Sequence, residues 1–143
     1  MTADQERAVF SLYAIVKTPL FIGADVTRIA GHSLEALTNK EAIAVHQDPL
    51  GDAGRRLSQQ AGGIEVWGCK LSGGRAAAVL LNRGTSTAPS ISLPWALLGF
   101  SNSSTCAVRD LWRHSELGNF SDFSAKDVPP TSAVMVEVRG CHL

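Results

Sequence analysis

The 143 residues carry 13 basic and 13 acidic side chains and no net charge, which suits one ordinary domain and argues against nucleic acid or an anionic membrane as partner, since both select a basic excess. Apolar residues make up 45% of the chain, enough for a core, yet no run reaches the roughly 18 apolar residues that a spanning helix needs.

In chain order, Met1 is followed by Thr2, Ala3, Asp4, Gln5 and Glu6, which is not the pattern of a signal peptide. Thr2 and Gln5 fit a capping box, in which each side chain serves a free amide near the other. The spacing then places Val9, Tyr13 and Val16 on one helical face, with Phe10 and Ala14 beside them. Pro19 ends that helix. The run Pro19-Leu-Phe-Ile-Gly23 is continuously apolar and predicts a parallel strand buried on both faces. Ser33 is a candidate cap for a further turn through Leu37. Asn39 then caps a short amphipathic helix whose apolar surface comes from Ile43 and Val45, with Glu41 near its positive end. Pro49 stops it and disfavours helical geometry at Asp48, and Gly51 frees the turn. Helix, strand and helix in that order predict a parallel α/β unit over residues 1–57.

Residues 58–143 predict an antiparallel β-sandwich. Ile64–Leu71 alternates, Ser72-Gly-Gly74 is a hairpin signal, and Arg75–Asn82 is the return strand. Ser90–Leu93, Thr105–Trp112 and Ser132–Arg139 are further strands. The last places Ala133, Met135 and Glu137 on one face and Val134, Val136 and Val138 on the other. The boundary between the two parts is expected near residues 54–63. Three cysteines, Cys69, Cys106 and Cys141, are too few and scattered for a disulfide framework or a zinc site. Buried free thiols are the expectation, with a Cys106–Cys141 bridge as the alternative. Sequons stand at Asn102-Ser103-Ser104 and Asn119-Phe120-Ser121, a weak sign of a secretory parent.

Several of these segments resemble one enzyme family in order along the chain. Met1-Thr2 and Phe10-Ser-Leu-Tyr-Ala-Ile-Val-Lys-Thr-Pro-Leu-Phe-Ile-Gly-Ala-Asp25 are similar to the last barrel repeats of the α-galactosidases of glycoside hydrolase family 27. Asn39 to Gly51 resembles that family's barrel-to-sandwich junction. Val66-Trp67, Leu71-Ser-Gly-Gly-Arg75, Asn82-Arg83-Gly84 and Arg109-Asp-Leu-Trp112 resemble landmarks of its C-terminal β domain. Tyr13, Ala24 and His46 depart from common family residues, which are Trp, Cys and Asn.

The resemblance implies the last β/α units of a (β/α)8 barrel followed by a sandwich, in a retaining hydrolase of terminal α-galactosides. Galactose and N-acetylgalactosamine both stay open as the sugar, since the residues around its second carbon belong to an earlier part of the family pattern. The parent is expected in a secreted, lysosomal or vacuolar compartment. Retention needs two carboxyl groups about 5–5.5 Å apart, one nucleophile and one acid/base. The Lys-Tyr-Asp and Arg-Ser-Asp type motifs that hold them are absent here, so the chain is expected to be inactive alone, with no catalytic, substrate-binding, cofactor or metal residue of its own. A glycan-binding or dimer-forming sandwich is the other reading.

Residue by residue, Asp25 is the best-placed acid, at the end of the expected strand, but a turn role is the simpler reading. His32, His46, His114 and His142 lack metal-ligand spacing. Ser33 and Ser72 lack a nucleophile-elbow context. Trp67 and Trp112 are expected in the core, whereas Trp95 divides evenly between core and a sugar-stacking surface.

Overall fold

A computed structural model describes residues 1–29 and 31–143. Among the described residues, helices lead the chain: α1 (Ala3–Val16), α2 (Gly31–Leu37) and α3 (Lys40–His46). Strands follow: β1 (Arg55–Gln60), β2 (Ile64–Leu71), β3 (Arg75–Asn82), β4 (Ala88–Leu93), β5 (Thr105–Asp110), β6 (Ser115–Phe120), β7 (Phe123–Val128) and β8 (Ser132–His142). Six of them form one sheet in the order β1-β2-β3-β8-β5-β6, and β4 and β7 form a second. The pairings between them are antiparallel.

The large sheet is buried on both faces. One face meets β4 and β7 through Val66, Ala76, Ala78, Leu80, Val108, Val136 and Val138, which pack against Ile91, Leu93, Trp95 and Phe123. The other face meets the helices: Ala77, Val79, Leu81 and Met135 pack against Ala8, Ala14, Ile15, Ala42 and Val45. Alternation in β8 follows the expectation, with Ala133 and Met135 toward the helices and Val134, Val136 and Val138 in the sandwich core.

Thr2 caps α1 by accepting from the Gln5 amide at 3.2 Å, and the Gln5 side chain accepts from the Thr2 amide at 2.9 Å. The helix's buried side, however, is Ala8, Phe10, Ser11, Ala14 and Ile15. Tyr13 is 48% exposed and Val9 and Val16 are partly covered, contrary to the face that their size suggested. Close approach of a helix to a sheet favours small side chains at the contact, and the alanines lie there. Lys17 ends the helix in the left-handed conformation at φ 58°, and its Nζ donates to the Val45 carbonyl at 3.0 Å.

Residues 19–23 form no strand. Phe21 is 91% exposed and Ile22 52%. A parallel strand takes its hydrogen bonds and its cover from neighbours on both sides, and among the described residues no strand pairs with the segment. Ser33 is not a cap: it is the third residue of α2 and donates to Glu6 at 2.8 Å. β1 falls inside the expected boundary segment, and β6 and β7 add two strands in a stretch for which none was expected. Among the cysteines, Cys106 and Cys141 form a disulfide across 35 residues of sequence, and Cys69 is free and buried. The expectation of free thiols therefore fails for two of the three, because β5 and β8 are sheet neighbours and bring their Cα atoms to 4.1 Å.

Asn39 caps α3 by accepting from the amides of Glu41 and Ala42, while its Nδ2 donates to the Leu111 carbonyl at 3.0 Å. It is buried, so one side chain serves helix and sheet together. Asn39→Ala is expected to lower stability by about 2–3 kcal/mol, the cap plus an unpartnered buried carbonyl, as read from chemical denaturation. A loss below about 0.5 kcal/mol would mean that water replaces both roles.

Candidate functional site

Two regions could carry function: a cavity beside the helices and the seam between helices and sheet. The cavity, about 640 Å³, is lined mainly by apolar groups, among them Val9, Tyr13, Leu20, Phe21 and Ile22. Glu6 and Asp25 bring carboxylates to it, Arg28 a guanidinium and Ser33 a hydroxyl. Glu6 accepts from Ser33 and from His32 Nδ1, the latter at 2.6 Å. Asp25 accepts from the Thr27 hydroxyl at 2.6 Å and the Thr27 amide at 3.0 Å, and Arg28 stands 3.4 Å away. The Ser33 and His32 donors lower the Glu6 pKa, and the two Thr27 donors lower that of Asp25. Each carboxylate is thus held ionised by its own local donors. A glycosidase acid needs the reverse, a carboxyl kept protonated near working pH.

The seam is built from the sequence landmarks. Asp48, at the end of α3, accepts from the Leu50 amide, the Ser72 amide at 2.9 Å, the Ser72 hydroxyl at 2.9 Å and Arg75 at 3.1 Å. The Leu71–Arg75 landmark is therefore the receptor for the proline-stopped turn. Burial pushes the Asp48 carboxyl up, but those donors outweigh it and the net shift is down. In the Arg109–Trp112 landmark, Arg109 grips Glu41 through Nε at 2.5 Å and Nη2 at 3.3 Å. Asp110 accepts from the amides of Trp112 and Arg113, which fixes the turn. Leu111 is buried, and Trp112 Nε1 donates to Ser11 on α1 at 2.7 Å.

Asn82-Arg83-Gly84 does the same between the two sheets. Asn82 is fully buried, its Nδ2 donating to the carbonyls of Ser86 and Val128 and its Oδ1 accepting from the Gly84 amide. A side chain at Gly84 would run into the Gly62 carbonyl, so glycine is required.

Charged groups link these clasps. His114 donates to Glu41, Arg109 reaches Glu116 at 3.4 Å, Arg139 reaches Glu116 at 2.5 Å, and Arg75 bridges Asp48 and Glu137. Arg109, then burial and His114, set the Glu41 pKa, with a net lowering; Arg139 chiefly lowers that of Glu116. Folded-state values below the unfolded ones mean that these pairs stabilise above the ordinary carboxylate range. The contribution fades as pH falls. The thermal midpoint is expected to drop between roughly pH 5 and pH 3, and Glu41→Gln is expected to flatten that slope. An unchanged slope in the variant would assign it to other acids.

The remaining candidates disperse. His46 donates to the Thr18 carbonyl at 2.7 Å, and His142 sits beside the Gly140 carbonyl. Among the described residues no three His, Cys, Asp or Glu side chains converge as a metal set. Trp95 lies in the sandwich core, 2% exposed, and Trp67 and Trp112 pack on the helix side of the sheet, so they form no common platform. The Trp67 indole donates to the buried Glu65 at 2.8 Å. The sequence reading overlooked Asp48, Glu41 and Ser11 as joint residues. Only Ser11 carried a signal, as a lone polar residue within the apolar stretch from Ala8 to Ile15 of α1.

Comparison with known proteins agrees with this layout. The model of the alpha galactosidase C-terminal beta sandwich domain matches residues 61–138, and that of alpha galactosidase A matches residues 1–48. Alpha-galactosidase 3 of Arabidopsis thaliana is 37% identical over all of this chain, which spans 31% of that relative. The alpha-galactosidase of Coffea arabica is 43% identical over 80% of the chain, spanning 30% of it. The crystal structure of alpha-galactosidase I from Mortierella vinacea superposes with a TM-score of 0.90 at 30% identity, covering 96% of this chain and 36% of that one. The sandwich model covers more than half of the sequence, and the helices before it match the same enzymes in the same order. The chain therefore belongs to the α-galactosidases of glycoside hydrolase family 27, of which it carries the C-terminal β-sandwich and the helical segment joined to it.

Proposed function

We propose that this chain is the barrel-closing and sandwich-bearing part of an α-galactosidase that releases terminal α-D-galactosyl residues with retention. The helical part before β1 supplies the end of the (β/α)8 barrel and the strands from β1 onward the sandwich, and the catalytic carboxyl pair comes from the remainder of the enzyme. The observation that carries this reading is the ordered match along the chain, to alpha galactosidase A over residues 1–48 and to the C-terminal beta sandwich domain over residues 61–138, in a chain that spans 31% of a curated relative. The apolar surface of Tyr13, Phe21 and Ile22 supports it too, since a barrel strand and helix bury such groups against neighbours.

Purified chain is expected to show no hydrolysis of an aryl α-galactoside above the buffer rate, across pH 3 to 8. Turnover that Asp25→Asn abolishes would overturn the assignment and make this chain a catalyst in its own right.

A further inference from the structure

The two sequons have different structural settings. Asn119 lies in β6, the outermost strand of the large sheet at the end away from β1. It pairs in register with Ala107, and the next residue, Phe120, pairs with Cys106. Phe120 and Cys106 pack in the sandwich core. Alternation therefore places Asn119 on the opposite face, where it is exposed. No hydrogen bond to its side-chain amide exists among the described residues, and Ser121, which completes the triplet, is exposed as well. Asn102 is exposed too, but its side chain is tethered and its triplet is not free: Oδ1 accepts from the Ala96 amide at 2.9 Å, and Ser104, which completes that triplet, is buried. The Cys106–Cys141 disulfide adds an independent observation, because such bonds form and persist in oxidising compartments. Asn-linked oligosaccharides belong to secreted chains with surface sequons.

We propose that Asn119 is a glycosylation site bearing an Asn-linked oligosaccharide, and that Asn102 is the poorer acceptor. The donor class is a lipid diphosphate-linked oligosaccharide. Asn119 Nδ2 forms the bond to the sugar's C1, the C1–oxygen bond to the diphosphate breaks, the amide loses one proton, and the lipid diphosphate leaves. The site is independent of whether the chain acts on a galactoside.

The test uses the full 143-residue chain behind a cleavable secretion leader in a eukaryotic host. Intact mass is read before and after an amidase that removes Asn-linked glycans and converts the attachment Asn to Asp. The expected result is a mass loss with Asn119→Asp conversion. It should vanish in Asn119→Gln and in Ser121→Ala, which keeps the asparagine, and persist in Asn102→Gln. Secreted chain with an unmodified Asn119, whether or not Asn102 carries a glycan, would overturn the proposal.

Discussion

Replacing Cys106 and Cys141 by serine is expected to lower stability by about 3–4 kcal/mol, the chain-entropy value for a closed loop of this length. The bridge spans 35 residues, and its loop contains β6, β7 and most of β5 and β8. Opening it restores to the unfolded chain the freedom of the segments that form one edge of the large sheet and half of the small one. Cys106 is also fully buried in the sandwich core, so serine there adds a polar group with no partner in place for it. Since domains are typically stable by about 5–15 kcal/mol, the loss is a large share of the total. Thermal midpoints of the double variant and of the reduced native chain should both fall by about 10 °C. Thiol counting gives a parallel check: the denatured, unreduced chain should present the single thiol of Cys69, and reduction should raise the count to three. Equal midpoints with and without reductant would remove the bridge from the stability account.

Trp95→Ala is the second large effect, expected at about 3–5 kcal/mol. Trp95 is the largest fully buried side chain and sits where the sandwich closes, opening the short 3-10 turn Trp95–Leu98 after Pro94. Gly99, in the left-handed conformation, ends that turn, and the Phe100 amide donates to the Trp95 carbonyl at 3.1 Å. Truncation would leave a cavity among Ile91, Leu93, Leu98 and Phe123, which rigid strands cannot collapse to fill. The indole Nε1 has no hydrogen-bond partner among the described residues. Phenylalanine removes that buried donor along with part of the ring, so Trp95→Phe should cost much less than alanine, about 1–2 kcal/mol. Urea denaturation of the two variants separates ring volume from the N–H. Equal losses would show that filling this space contributes little.

How much of this was written in the sequence depends on the range of the forces involved. The Thr2–Gln5 box and the Asn39 cap are local, set by residues two or three apart, and the structure has both as read. Alternation in β8 was equally legible, because both faces of that strand are buried against distinct cores. Residues 19–23 look like a strand in composition, but a strand is a property of its neighbours as much as of itself. The face of α1 misled for a related reason: large side chains mark burial in general, whereas Ala8 and Ala14 are among the residues that pack on the sheet. β1 and β6 went unread because edge strands are largely solvated and show no clean apolar period. At the candidate site, the landmarks were visible as motifs while their roles were not. Asp48, Arg75, Glu41 and Arg109 meet only after residues up to 68 apart are brought together.

Because the large sheet separates two cores, the position of a residue along β3 forecasts the symptom of changing it. Bulk added at Ala76 or Ala78 falls between the sheets. Bulk added at Ala77, or lost at Val79, falls against the helices. Even-numbered variants in that strand should therefore produce a misfolded sandwich. Odd-numbered ones should leave the sandwich whole and loosen its grip on the helical layer. A mutational scan along this one strand of eight residues would then show two phenotypes in strict alternation, sorted by nothing more than the parity of the residue number.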